Sequence, residues 1–325
     1  MEIFYQSQPK LVERSAIALG FFDGVHPGHQ VVLQKAVDEA KRLGCKAGVV
    51  TFRDHPRGLI RGRSPLLLTV IEQRLELFEA MGIDVALVLT FSEELCQLSP
   101  AQYVDEVLVG SMGAKSISVG HNHHFGRDRE GNADLLRTFG QERDFVVHAA
   151  PMVYVENLEV SSSRIRKLIE AKDMELANKL LSRPYTLRGE VVQGAQRGRV
   201  LGFPTANVLP AFNQLVPPVG VYAGTARIQA DSAGGPRYEP AVINIGYRPT
   251  FTAGEASDEK TATIEAHLLD YKGDLYGQVV EIGLRKFLRD EQKFDGLESL
   301  TNQITQDCQV ARCYLDQCLA ESPSS

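Results

Sequence analysis

Apolar and polar positions in the first half of the chain follow two alternating rhythms. Ser15-Ala16-Ile17-Ala18-Leu19 is a short, nearly unbroken apolar run, the pattern of a buried strand. Just after it, Val32, Leu33, Ala36, Val37, Ala40 and Leu43 recur at helical spacing and predict a helix over 31–43. The alternation continues with strands over 46–52, 85–91, 116–120 and 145–148. Helices are expected over 71–81, 100–109, 134–141 and 167–181, with Pro100 suited to a first helical turn. Strands alternating with helices predict a parallel sheet covered on both faces, with ligands bound beyond the carboxyl ends of the strands.

At Leu181-Ser182-Arg183-Pro184 the rhythm changes. Short β-type segments follow over 186–192, 219–228, 238–245, 261–269 and 278–287, punctuated by glycines, and predict a barrel. A helical period over 294–319 is expected to pack on it. The polar stretches 231–237 and 254–260 read as exposed hairpin loops. The expected domains are therefore 1–182 and 183–325, a natural division for 325 residues.

Composition narrows the setting. A hydrophobic fraction of 43% and a charged fraction of 23% are those of a soluble globular protein. The net charge of −6, from 35 basic and 41 acidic residues, gives no reason to expect nucleic acid or an anionic membrane as the main partner. No apolar run approaches the ~20 residues of a membrane span. Met1 to Gln8 is polar, without the apolar core of a secretion signal. The five cysteines are odd in number and form no Cys-x-x-Cys pair, so a reducing cytoplasm is expected. Cys308, Cys313 and Cys318, five residues apart, read as small helix residues rather than metal ligands.

Between the first strand and first helix stands Gly20-Phe21-Phe22-Asp23-Gly24-Val25-His26-Pro27-Gly28-His29. A glycine-rich turn at a helix start can present backbone amides to a phosphate. His26 and His29, three positions apart, share a face if both lie on the first helical turn, and could hydrogen-bond a phosphate that gains charge during reaction. This stretch resembles the signature of the HxGH nucleotidyltransferases, which join a nucleoside triphosphate to an acceptor and release pyrophosphate. A plain loop with two surface histidines is the bland alternative.

Further turns extend the resemblance to the prokaryotic bifunctional riboflavin kinase/FAD synthetase family. They are Thr51-Phe52-Arg53-Asp54-His55-Pro56, then Val119-Gly120 with Asn122 and Phe125-Gly126, then Val160-Ser161-Ser162-Ser163-Arg164-Ile165-Arg166. The last suits phosphate by itself: hydroxyls and amides at a helix start, with an arginine able to hold two oxygens. An N-cap serine with solvent arginines is the alternative reading. His123 stands where the family has an aromatic residue after the Asn or Asp. His121, His123 and His124 invite a metal reading, but three histidines in four residues rarely converge on one ion, and a nucleotide-site loop is favoured.

In the second half, Gly198-Arg199-Val200-Leu201-Gly202-Phe203-Pro204-Thr205-Ala206-Asn207 brings a Thr and an Asn two residues apart, on one side of an extended segment. Their oxygens are hard ligands suited to Mg²⁺. Pro204-Thr205-Ala206-Asn207 looks like the riboflavin kinase signature. Asn244 to Phe251, Ile264 to Asp270 and Arg285 to Phe294 match its other motifs.

The resemblance implies an α/β protein: an N-terminal Rossmann-like HxGH nucleotidyltransferase domain with a parallel sheet, then a six-stranded antiparallel β-barrel kinase domain with a C-terminal helix. It implies phosphorylation of riboflavin to FMN, then adenylylation of FMN to FAD. In the adenylyl-transfer site it places ATP on Gly20, Phe21, Asp23, His26, His29, Ser162, Ser163 and Arg166, and FMN on Asn122, Phe125 and His55. In the kinase it places ATP and Mg²⁺ on Gly198, Gly202, Thr205 and Asn207, with Thr205 and Asn207 at the metal. Flavin falls to Glu265 and Arg289, and catalysis to Glu265, His26, His29 and Arg166. ATP, riboflavin, FMN and FAD are the expected small molecules, with neither nucleic acid nor membrane as partner and weak self-association left open. Three rivals stand beside this reading: another HxGH transferase, a kinase with a decayed first domain, and a non-enzymatic flavin-binding regulator.

Overall fold

The apolar runs of the first half become strands of one sheet because both of its faces are covered. In the computed structural model, which describes residues 1–54, 64–194, 198, 201–228, 235–248 and 261–320, β2 (Ser15–Leu19) and β4 (Val85–Leu89) are buried along their whole length. Continuous rather than alternating hydrophobicity is what such burial requires. With β1 (Glu2–Phe4), β3 (Lys46–Phe52), β5 (Ala114–Gly120) and β6 (Val146–Ala150) they form a parallel sheet in the order β1-β4-β3-β2-β5-β6. Ala16, Ala18, Val49 and Val88 face the apolar stripes of α1 (Pro27–Leu43) and α2 (Ile71–Ala80). The alternate residues Ile17, Leu19, Val50 and Leu87 pack on the other face against Tyr103, Val104, Leu108 and Leu136.

Several elements differ from the sequence pattern. β1 has only three residues at a sheet edge, mostly exposed, and so carries no periodic signal. The expected helix over 100–109 is α-helical only over Pro100–Tyr103 and continues in wider π-type turns over Val104–Ser111. The helix expected over 167–181 is two, Ser162–Glu170 and Met174–Leu181. The Asp173 carboxylate caps the second by accepting from the Leu176 amide at 3.1 Å. A small hairpin, β7 (Tyr154–Val155) with β8 (Leu158–Glu159), carried no strand signal at two residues per strand.

The chain divides into compact units at Met1–Ser162 and Ser163–Ser325. The second unit is a closed antiparallel barrel of β9 (Tyr185–Val192), β10 (Ala206–Pro210), β11 (Gly220–Ile228), β12 (Arg237–Arg248), β13 (Thr261–Leu268) and β14 (Val279–Arg289), in the order β10-β13-β12-β11-β14-β9. β10 escapes a propensity reading because Asn and Pro are poor strand formers. Leu187, Tyr222, Ile243, Ile264, Ile282 and Leu284 are almost wholly buried. The last helix, Leu297–Ala320, packs Ala311 against Val221, Ala223 and Val242. There burial pushes the Cys308 thiol up to about 11, as expected of an inert core thiol. The helix Met174–Leu181 belongs to this unit. Asn178 donates to the Leu284 carbonyl at 2.9 Å and accepts from the Tyr185 amide at 2.7 Å. The expected loop at 254–260 and most of that at 231–237 lie outside the described residues.

Candidate active sites

Three turns leave the first sheet side by side. Leu19 of β2 is level with Val50 of β3 and with Val119 of β5, so the chain after Gly20, after Phe52 and after Gly120 emerges at the carboxyl ends of adjacent strands. The strand order also reverses at β2, whose two neighbours are reached in opposite directions. That is where open α/β sheets bind ligands.

The turn after β2 is strained and tightly held. Phe22, Gly24 and Val25 have φ of 57°, 85° and 39°. Left-handed backbone at a bulky and at a β-branched residue costs on the order of 1–3 kcal/mol each, and persists only where the surroundings enforce it. Here they do. The Asp23 carboxylate accepts from the Leu68 amide at 2.9 Å and the Thr69 amide at 3.0 Å, while the Gly24 amide donates to Thr69 Oγ1 at 2.8 Å. Thr51 Oγ1 donates to the Phe21 carbonyl at 3.1 Å, and Ser162 Oγ to the Asp23 carbonyl at 2.9 Å. Asp23 and Ser162, both expected at ATP, thus serve the turn itself with these groups.

α1 starts at Pro27, whose missing N–H is an orphan donor in any case. The His26 N-cap makes no side-chain capping bond and no acid stands in the first turn, so the local charge at the helix start favours an anion. The His26 and His29 rings stack at 3.7 Å between centroids, 20° from parallel. The glycine between them gives the stacked rings room: a Cβ on Gly28 would lie 3.2 Å from the His26 ring and press it aside by a few tenths of an ångström. Phe22 supports His29 edge-on at 5.4 Å.

Asn122 is exposed on the turn after β5, whereas Phe125 is 7% exposed and packs into the core beside Tyr103. The His123 ring lies parallel to Phe125 at 6.0 Å. Burial, with His124 and Arg129 nearby, pushes its pKa down to about 4, and its Nε2 has no protein partner among the described residues. The ring is therefore neutral at physiological pH. His121 is exposed and His124 Nδ1 lies 3.2 Å from the Arg129 carbonyl. Ser163 is exposed and Arg166 half-buried on the helix that Ser162 begins, beyond the division between the units. His55 lies outside the described residues.

In the barrel, register does the assembling. Asn207 on β10 and Asn244 on β12 both pair with Glu265 on β13, so their side chains leave one face of the sheet in a row. Two cavities flank this row. One, of about 550 Å³, is lined by Thr205, Asn207 and the 271–276 loop. The other, of about 610 Å³, is lined by Gly198, Asn244, Glu265, Arg289 and Phe294 among others, and Thr205 borders both. A Cβ on Gly194 would fall 2.2 Å from the Asn207 amide nitrogen, so only glycine lets Asn207 lie there.

Gly202, exposed at φ 85°, borders neither cavity. Arg289 lines the second cavity, but its Nε and Nη2 donate to the buried Asp307 carboxylate at 3.0 and 2.8 Å, tying β14 to the last helix. Asn244, absent from the expected site, donates to Glu291 at 3.5 Å.

Arg74, Thr51 and Thr69 were also not expected. Arg74 did leave a trace, an arginine within the apolar spacing Ile71, Leu75, Phe78. Among the described residues no three His, Cys, Asp or Glu side chains converge in a way that could hold a metal ion.

Known proteins share this arrangement. Residues 8–164 match the FAD synthetase family and residues 181–315 the riboflavin kinase family. The bifunctional riboflavin kinase/FMN adenylyltransferase of Pseudomonas fluorescens is 38% identical over 294 residues, 90% of this chain and 91% of that protein. That of Bacillus subtilis is 37% identical over 308 residues, 93% and 92% of the two chains. A solved structure described as a macrolide-efflux protein from Streptococcus pneumoniae superposes with a TM-score of 0.83 at 27% identity, covering 96% of this chain and 99% of that one. That likeness speaks to the fold. Among the described residues no helix is long and apolar enough to cross a membrane. A parallel-sheet transferase unit with an HxGH turn, joined to a flavokinase-type barrel, defines a two-module transferase. The chain belongs to the bifunctional riboflavin kinase/FMN adenylyltransferase family.

Proposed function

We propose that this chain makes FAD from riboflavin in two steps, the kinase step on the barrel and the adenylyl transfer on the parallel-sheet unit, with the functional boundary near 182/183. The shared border of the two barrel cavities at Thr205, beside the row Asn207, Glu265 and Asn244, carries the reading. ATP occupies the first cavity, its phosphates toward Thr205 and Asn207. Riboflavin occupies the second, its ribityl chain toward Glu265. The 5′-hydroxyl oxygen attacks the γ-phosphorus, the bond to the β–γ bridging oxygen breaks, and ADP leaves with that electron pair. Glu265 orients the hydroxyl and accepts its proton.

A hydroxyl, an amide oxygen and a nearby carboxylate form a hard donor set that fits Mg²⁺, and Thr205 and Asn207 would hold it. When bound, that ion neutralises developing phosphate charge. Arg289 acts at the flavin end by fixing the cavity wall through Asp307. Gly198 lets the chain pass close to the cavity, and Gly202 shapes the loop.

In the first unit ATP lies over the turn after Gly20, with Phe21 beside it. An FMN phosphate oxygen attacks the α-phosphorus, and pyrophosphate leaves with the electrons of the broken bond. His26, His29 and the open end of α1 stabilise the charge that develops, assisted by Ser162, Ser163 and Arg166. FMN meets Asn122 and the neutral His123 ring, with Phe125 as the packed base beneath and His55 as a further contact. The free cysteines fit a reducing cytoplasm. Partners are the small molecules riboflavin, FMN and ATP.

Incubation of the protein with riboflavin, ATP and Mg²⁺, followed by separation of the flavins, tests the whole reading. FMN and then FAD should accumulate, and omission of Mg²⁺ should stop both. FMN without FAD would limit the reading to the barrel, and no turnover would overturn it.

A further inference from the structure

Arg74 is fully buried, and its charge has no carboxylate within ion-pair distance among the described residues. A buried guanidinium without an ion pair is costly and calls for a reason. Its terminal nitrogens donate to carbonyls, while Nε has no partner among the described residues. Nη1 donates to the Phe21 carbonyl at 2.8 Å and the Phe52 carbonyl at 2.9 Å, and Nη2 to the Arg53 carbonyl at 2.8 Å. Thr51 Oγ1 lies 3.4 Å from Nη1, and the Phe21 ring covers the guanidinium at 4.4 Å. One side chain on α2 thus grips the backbone of two adjacent turns, those after β2 and β3.

A trans peptide is planar, with its N–H opposite its C=O. Gripping a carbonyl therefore aims the next residue's amide away from the guanidinium. Three amides are set in this way. That of Arg53 donates to the Leu89 carbonyl at 2.9 Å and completes the sheet. Those of Phe22 and Asp54 make no hydrogen bond among the described residues. Phe22 is 3% exposed, and an amide without a partner in so buried a residue is rare. Both amides stand at the carboxyl ends of neighbouring parallel strands, where a ligand is expected.

We propose that Arg74 is a positioning residue for adenylyl transfer: it turns the peptide units after Phe21 and Arg53 so that the Phe22 and Asp54 amides face phosphate oxygens of the nucleotide. This rests on the reading of the first unit as the ATP site. Arg74 itself touches no substrate. It fixes the two donors before the nucleotide arrives, and preorganised donors stabilise developing charge because they need not reorient.

The test uses the full chain, with riboflavin phosphorylation as an internal control. Arg74→Met keeps bulk but removes every donor. It should lower kcat for FMN-to-FAD conversion by about 10²-fold, the scale of misplaced catalytic geometry, with a smaller change in KM for FMN and unaltered FMN formation. Arg74→Lys supplies three donors for three carbonyls and should recover much of the rate. A purely structural cation would lower thermal stability without this kcat-selective loss or its rescue. Folded Arg74→Met enzyme that forms FAD at the wild-type rate overturns the proposal. Should Arg74→Met not fold, Thr51→Val decides. It removes only the hydroxyl that helps hold the Phe21 carbonyl. A selective fall in kcat for FAD formation supports the proposal, and a wild-type rate overturns it. His29→Ala separates the two readings: wild-type FAD formation there means that the site assignment, not only Arg74, is wrong.

Discussion

In the parallel-sheet unit the proposed ATP site is built largely around a main-chain turn; in the barrel the proposed site is a row of side chains. The turn after β2 is held in left-handed conformations by Thr51, Thr69 and Arg74, remote in sequence, and by Asp23 turned inward. The barrel row of Asn207, Glu265 and Asn244 needs no such framework. Antiparallel register sets these side chains on one face by itself. A site made of backbone is vulnerable to changes in residues that never meet the substrate. A site made of aligned side chains is vulnerable chiefly at those side chains.

The largest expected effect attacks the barrel side of this contrast. Glu265→Gln keeps size and an accepting oxygen but removes charge and basicity. The kinase step should fall by about 10²–10⁴, the range for loss of a general base. Supplied FMN should still become FAD. Steady-state assays of both steps on one preparation decide: wild-type riboflavin phosphorylation would make Glu265 an ordinary strand carboxylate, and loss of both activities in folded protein would deny that the sites are separate.

Next in size, His29→Ala removes one stacked imidazole and leaves the bonds from Thr51, Thr69 and Asp23 that hold the turn. FAD formation should fall by roughly 10²–10³, as for a lost oxyanion donor, with FMN formation spared. A drop of a few-fold only would mean that the backbone amides carry nearly all of the stabilisation, sharpening the contrast further.

The smallest effect concerns the frame. Glu39 on α1 is 5% exposed and holds Arg42 at 2.7 Å and Lys35 at 2.9 Å, which pull its pKa down to about 2. A carboxylate with a lower pKa folded than unfolded adds stability above the unfolded value near 4.5. That stability is lost as pH falls from about 4.5 toward 2. Glu39→Gln should therefore melt a few degrees below wild type at pH 5 and converge with it near pH 2.5. Parallel melting curves at both pH values would show that the ion pair adds nothing.

How much was legible in the sequence follows from the same contrast. The sheet, its helices and the barrel were readable because burial on one or two faces writes a period into the chain. Elements of two or three residues write none, and β10 was hidden by Asn and Pro. The histidines, Thr205, Asn207 and Glu265 stood out as unusual residues in tight motifs. The inward turn of Asp23 and the Arg289–Asp307 pair did not, since both depend on partners 18 to 46 residues away. Asn244 stood at the head of a matched motif, but its place beside Glu265 becomes visible only once β12 and β13 are in register. Arg74 was detectable as a charge in an apolar stripe, but its grip on carbonyls was not, because every carbonyl looks alike in a sequence.

The barrel closes through its last strand. β14 pairs with β11 on one side and β9 on the other. Until residues 279–289 exist, β9 and β11 are both open edges, and the pairing of Tyr185 to Glu190 on that side must wait for a partner almost a hundred residues further on, although Gly189 to Val192 already meet β10. During synthesis the barrel's long-range pairing therefore comes last and is slow, as non-local contacts are. A chain halted before Val279 presents two unpaired edges at once, each able to recruit a strand from a neighbour. Late termination here would threaten solubility more than an early stop after the parallel sheet.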